Sequence, residues 1–182
     1  MPRRAITLLA IFLLTAGCAV AEEATAPGDV EGPFVWGALH NVTRLGNLWF
    51  SGQPDAAALA VAKQRGIDVV VSLREPGELR WDEAGAVEDL GMSYVSVPVS
   101  RMRSYSAEAF DRISKVVDSN PDKQVLIHCG NSNRVGSWLT TRLVQRDGMS
   151  VDEALAMGRA AGLNQEPFVQ RTRDYLAESK KS

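Results

Sequence analysis

From about Val42 onward the chain alternates short apolar runs with longer stretches in which apolar residues recur at three- and four-residue spacing. These are the marks of strand and amphipathic helix. Val42-Thr43-Arg44-Leu45 and Leu48-Trp49-Phe50-Ser51 flank Gly46-Asn47, a turn pair, and predict a β-hairpin. Ser51-Gly52-Gln53-Pro54 then breaks the strand, and Pro54 suits the first turn of a helix that runs to Arg65 and ends at Gly66. Ile67 to Leu73 is a near-continuous apolar run, as expected of a buried central strand. Trp81 to Leu90 reads as helix, stopped by Gly91, and Tyr94 to Val99 as strand. Ser106 is placed to cap a helix whose buried face carries Ala109, Phe110, Ile113, Val116 and Val117. A strand at Val125 to Ile127 follows, then a helix marked by Trp138, Leu139, Leu143 and Val144. Ser150 to Glu153 has the form of a capping box for a helix ending near Gly162, and a last helix from about Pro167 to Ala177 packs Phe168 and Tyr175.

Strand and helix in alternation predict an α/β fold, a single domain with a mostly parallel central sheet flanked by helices. In such a sheet a site gathers in the crevice at the carboxyl ends of the strands. The stretch that leaves the last strand there is His128-Cys129-Gly130-Asn131-Ser132-Asn133-Arg134. A small-residue loop opening a helix turns backbone N–H groups inward and, with the helix dipole, forms an anion cradle. The same positive field favours the thiolate of Cys129, the nucleophilic form. Arg134 offers a planar fork of donors suited to two oxygens of a phosphate-like group.

The segment VLIHCGNSNRVGSW resembles the active-site loop of the cysteine-dependent phosphatases, in particular the small bacterial branch related to dual-specificity phosphatases. LWFSGQPDAAALAVAKQRGIDVVVSLREPGE and LGMSYVSVPVS resemble that branch's lead-in, so the likeness runs from about Val42 to about Leu163. The resemblance implies that Cys129 attacks phosphorus to form a phosphocysteine and that Arg134 clamps the transition state. It also implies that His128 helps keep the thiolate ionised through hydrogen bonding, and that Gly130, Asn131, Ser132 and Asn133 line the phosphoryl site. Arg74, after the central strand, and Arg101, beyond the next strand, would contact an anionic substrate, with Arg103 beside the mouth.

Three departures from the family pattern stand out. Four residues separate Cys129 from Arg134, where five are common; the shorter spacing occurs in this branch and also in rhodanese-like sulfurtransferases, in which Cys129 would carry a persulfide. Ser132 occupies a position where the branch usually has glycine, so a positive φ there would be strained by the order of 1 kcal/mol. Val135 replaces the Ser or Thr that commonly follows the arginine. The general acid is missing too. The family takes an Asp from the loop after the YVSVPV strand, but that loop reads Ser100-Arg101-Met102-Arg103-Ser104-Tyr105. Asp111 falls on the next helix, while Glu75, Glu78, Asp82 and Glu83 belong to another loop and its helix. A phosphatase without this acid favours good leaving groups or is slow, and a phosphate-binding module that turns nothing over is a third alternative.

At 182 residues and 45% hydrophobic, the chain suffices for one sizeable core. The formal net charge of -2 and the absence of a basic tract argue against a nucleic-acid partner. With two His residues and no ligand cluster, neither a metal nor an organic cofactor is implied. His40 is isolated and reads as structural or exposed.

Arg3-Arg4, the apolar run Ala5 to Leu14 and the small-residue end at Cys18 form a signal peptide over 1–21. Thr15-Ala16-Gly17-Cys18 resembles a lipoprotein box that would lipidate Cys18, whereas Ala19-Val20-Ala21 would release a soluble protein. Both routes predict an exported protein of the bacterial cell envelope, periplasmic or lipid-anchored, touching membrane only through Cys18. Residues 22–33 read as a flexible tether and 34–182 as the phosphatase-like domain. The expected partner is a phosphorylated protein or small molecule.

Overall fold

The computed structural model describes residues 28–181, and the leader with Cys18 lies outside them. The order of elements is β1 (Glu31–Trp36), β2 (Leu39–Leu45), β3 (Leu48–Ser51), α1 (Ala56–Gln64), β4 (Ile67–Ser72), α2 (Glu83–Asp89), β5 (Ser93–Ser96), α3 (Ala107–Asp118), β6 (Gln124–His128), α4 (Asn133–Gln145), α5 (Val151–Ala160) and α6 (Glu166–Ser179). A short 3-10 turn, Pro76–Glu78, sits between β4 and α2.

The six strands form one sheet in the order β1-β2-β3-β6-β4-β5. β3, β6, β4 and β5 run parallel, and the expected hairpin adds β2 antiparallel to β3. β1 pairs antiparallel to β2, so the sheet continues into residues whose composition suggests a tether. Only Trp36 of β1 is buried, which leaves the strand without the alternation that announces one. Trp36 packs on Trp49 with ring centroids 5.0 Å apart, and Phe34 lies 5.2 Å from the same ring.

Side chains leave a strand on alternate faces, and here the two faces carry two cores. Along β6, Val125, Ile127 and Cys129 enter the core beneath α3, α4, α5 and α6. Leu126 enters the core on the side of α1 and α2, with Val70, Trp49 and Leu59. Full burial of an aliphatic side chain is worth roughly 1.5–3 kcal/mol, and both cores are built from such residues. Gly136 and Gly158 let α4 and α5 approach closely, since a Cβ at Gly136 would stand 2.6 Å from the Gly158 carbonyl oxygen.

Several helix starts follow the expected capping chemistry. Ser106 accepts from the Ala109 amide, and Ser150 forms its capping box with Glu153. α1 differs: Asp55 is the cap, accepting from the Ala58 amide, so Pro54 precedes the helix instead of entering its first turn.

Candidate active site

Four parallel strands end on one edge, and the chain leaves β6 there into a turn before α4. That turn is Cys129 to Ser132. Ser132 caps α4 with φ +66°, the left-handed conformation in which a side chain costs on the order of 1 kcal/mol. Its side chain makes no capping bond, unlike Asp55, Asp82, Ser106 and Ser150 at the starts of α1, α2, α3 and α5. The first amides of α4 have no helical partner, and no side-chain oxygen of the cap satisfies them, so the positive helix end faces the turn.

Ser132 is wedged against Gly162. A Cβ at Gly162 would lie 2.4 Å from the Cβ of Ser132, and Gly162 itself has φ +103°. Asn133 points away from the site. Its Oδ1 accepts from the amides of Asn164 and Gln165 at 3.0 and 2.9 Å, pinning the start of α4 to the loop before α6. The side chains of Ser132 and Asn133 therefore contribute no lining, and their part in holding an oxyanion reduces to backbone N–H.

Arg134 is buried, at 3% exposure. Nη1 lies within hydrogen-bond distance of the carbonyl oxygens of Leu73 and Val99, at 3.1 and 2.9 Å. Glu78 takes the other side of the fork, with Oε2 2.7 Å from Nη1 and Oε1 3.1 Å from Nη2. Nε and the second hydrogen of Nη2 meet no protein oxygen among the described residues, and Cys129 is a near neighbour of the guanidinium. One edge of the guanidinium is thus fixed by protein, and the adjacent edge keeps two parallel donors, the match for two oxygens of a phosphoryl group. Burial alone would lower the arginine's pKa; the hydrogen bond and charge of Glu78, with neighbouring Cys129, outweigh it and raise it. For Glu78, burial pushes upward, but the Arg134 hydrogen bond, the Glu75 amide and the charges of Arg134 and Arg74 hold the carboxyl below its usual range. Glu78 is an ionised clamp for the arginine and not a proton donor.

A cavity of about 230 Å³ opens over this assembly, lined by Arg74, Glu78, Arg101, Gly130, Asn131, Arg134 and Phe168. Arg74 and Arg101 converge there as the topology predicts; Arg103 does not line it. Arg74 donates from Nη2 to the Glu78 carbonyl oxygen at 2.5 Å, and its Nε lies 3.5 Å from Glu78 Oε2 without forming a hydrogen bond. A Cβ at Gly130 would meet Arg74 Nη1 at 3.4 Å and Arg134 Nη2 at 3.9 Å, so glycine keeps the space between the two guanidiniums clear. Cys129 is wholly buried in the core beneath the turn and is not among the residues that line the cavity. Gly130 and Asn131, which follow it, are the two exposed residues of the turn.

His128 lies on the opposite face of the sheet from Cys129, as strand alternation dictates. Its Nε2 is 3.3 Å from Oε2 of Glu83 on α2, both side chains being fully buried, although the angle falls outside hydrogen-bond geometry. Gln53 donates to the other carboxylate oxygen, and Tyr94 donates to Oε2 at 3.1 Å. Burial pushes the Glu83 carboxyl up, but His128, Gln53 and Tyr94 together bring it below its ordinary value. No side-chain contact joins His128 to the sulfur, so its influence on Cys129 runs through the backbone they share and through the pair's field.

Glu78, Glu83 and Phe168 are the site residues that sequence reasoning did not assign. For Glu78 a signal existed, since its loop leaves the C-terminal end of a central strand. Ser137, three positions beyond the arginine, is buried and donates to the Asn133 carbonyl oxygen at 2.9 Å, with Tyr105 Oη 2.8 Å and Thr172 Oγ1 2.9 Å away.

Residues 49–148 match the family model described as polymorphic toxin system, DSP-PTPase phosphatase. Curated proteins give no match to the sequence. Among solved structures, Tk-PTP in its active form is 28% identical with a TM-score of 0.62, covering 75% of this chain and 92% of its own. A DUF442 protein from Shewanella putrefaciens CN-32 is 22% identical, TM-score 0.63, covering 79% of this chain and 90% of its own. TpbA from P. aeruginosa, solved in complex with phosphotyrosine, is 18% identical, TM-score 0.65, covering 85% and 90% respectively. The matched span takes in more than half the chain, from β3 through the turn at Cys129 to the end of α4, and the chain belongs to the DSP-PTPase phosphatase family of polymorphic toxin systems.

Proposed function

We propose that this protein hydrolyses a phosphate monoester, on a phosphoprotein or a small molecule, through a phosphocysteine on Cys129. The observation that carries the reading is the Arg134 fork, fixed along one edge by Glu78 and left with two donors along the next, at the start of a helix whose amides no side chain caps. In the first step the Cys129 thiolate attacks phosphorus, an S–P bond forms, and the P–O bond to the leaving group breaks. In the second, water attacks phosphorus, the S–P bond breaks, the thiolate is regenerated and the water's proton passes to solvent. Arg134 and the amides of the turn bind the three phosphoryl oxygens as charge builds on them, the kind of preorganised stabilisation worth about 10²- to 10³-fold per donor. Phosphotyrosine, the ligand of TpbA, fits this chemistry because its departing oxygen is a phenolate. The leader, with its basic start and small-residue end, supports action in the cell envelope, with Cys18 as a lipid anchor.

The test is release of phosphate from an aryl phosphate, and of thiocyanate from thiosulfate and cyanide, by wild type, Cys129→Ser and Arg134→Ala. Phosphate release abolished by the first variant and reduced at least about 10²-fold by the second supports the proposal. Thiocyanate formation without phosphate release would replace it with sulfur transfer.

A further inference from the structure

The cavity lining holds three guanidiniums, those of Arg74, Arg101 and Arg134, against the single carboxylate of Glu78. That carboxylate is ionised and committed to Arg134. The proton that a departing oxygen takes in acid-assisted phosphoryl transfer therefore has no donor among the described residues lining the cavity. In the loop that follows β5 stands a cation instead. The backbone of Arg101 is fastened from both sides, its amide to Glu75 Oε2 at 3.3 Å and its carbonyl oxygen to Arg171 Nη1 at 2.8 Å. Arg171 is itself seated over the rings of Phe168 and Tyr105, at 5.0 and 5.4 Å. Arg74, whose Nε lies 3.5 Å from Glu78 Oε2, adds an Nη1 facing the space over Gly130. This arrangement stabilises negative charge on an atom that leaves, and does not neutralise it with a proton.

We propose that Arg101, supported by Arg74, stabilises the departing oxygen as an anion, so that the substrates are phosphates with weakly basic leaving oxygens: aryl phosphates and acyl phosphates, not alkyl phosphate monoesters. The inference rests on the phosphatase reading above. The S–P bond forms as the P–O bond breaks, both electrons of that bond leave with the oxygen, and the anion takes its proton from water after release. An acid would contribute about 10²- to 10⁴-fold, an advantage that grows with the basicity of the leaving group.

The experiment is kcat/KM for aryl phosphates of graded phenol acidity, for acetyl phosphate and for glycerol phosphate, with wild type, Arg101→Ala and Arg101→Lys. Wild type should slow by about tenfold for each pKa unit of the departing phenol, the steep dependence of an unprotonated leaving group, with acetyl phosphate turned over and glycerol phosphate not. Arg101→Ala should lose about tenfold to a hundredfold, most for the more basic phenols, and Arg101→Lys should recover much of the loss. A flat series, or glycerol phosphate turned over as well as the aryl esters, would show that an acid protonates the leaving group and would overturn the inference alone. An unchanged Arg101→Ala would overturn the role of that residue. No turnover of even the most acidic phenol would defeat the phosphatase reading, and this inference with it.

Discussion

Two acid–base pairs flank the turn at Cys129, one on each face of the sheet, and they are built for different work. On the face of α3 to α6, Arg134 is tied to Glu78, whose side chain is 21% exposed, and the pair borders an open cavity. On the other face, His128 meets Glu83 with neither side chain exposed, and Gln53 and Tyr94 complete the carboxylate's partners. The first pair leaves donors free and faces the space a ligand would fill. The second is enclosed, with His128 Nδ1 buried and unpartnered among the described residues, and it joins β6 to α2 beneath the turn. The lesson is that a carboxylate beside a nitrogen base serves different ends according to whether the pair borders a cavity or is enclosed.

The largest expected effect separates the pairs by stability. Removing His128 leaves a cavity and a fully buried carboxylate short of a neighbour, so His128→Ala should cost about 2–5 kcal/mol, read from denaturant unfolding. Glu83→Gln should cost much less, because the amide keeps the side chain's size and an oxygen that can accept from Gln53 or Tyr94. Equal costs for the two variants would remove the distinction drawn between a closed pair and an open one.

Next in size is Glu78→Gln. The amide keeps the shape but loses charge and one acceptor, so kcat/KM should fall by about tenfold while stability changes by less than about 1 kcal/mol, since the side chain is partly exposed. A loss of stability larger than the loss of activity would place Glu78 with Glu83 as a structural residue.

The smallest effect concerns acid. The folded-state pKa of Glu83 is lowered, so its contribution to stability is present in full above the unfolded carboxyl value of about 4.3 and is lost as pH falls through the folded value. Melting temperature measured from neutral pH downward should therefore fall less steeply below that point in Glu83→Gln than in wild type. Parallel curves would mean that Glu83 does not titrate with folding.

Much of this was legible in the chain. The hairpin at Gly46-Asn47, the apolar run at Ile67 and the caps at Ser106 and Ser150 specify their elements locally, through turn chemistry and side-chain periodicity. The turn from Cys129 to Arg134 lies between β6 and α4 as its small residues suggest, and the positive φ at Ser132 falls where the family pattern has glycine. β1 was not legible, because a single buried residue at its end cannot set a period. Glu78 was hidden for another reason: it meets Arg134 across 56 positions of sequence, and nothing local to either residue records the pairing. The separation of His128 from Cys129 was readable in principle, since neighbours on a strand point to opposite faces.

The central claim is that the sulfur of Cys129 becomes covalently phosphorylated. The most direct measurement is acid quenching during turnover of an aryl phosphate, followed by peptide mass spectrometry. A phosphoryl group on Cys129 in wild type, accumulating with the burst of phenol and missing from Cys129→Ser, is the expected result. Undiminished turnover in Cys129→Ser, or a phosphoryl group carried by a different residue, would contradict it.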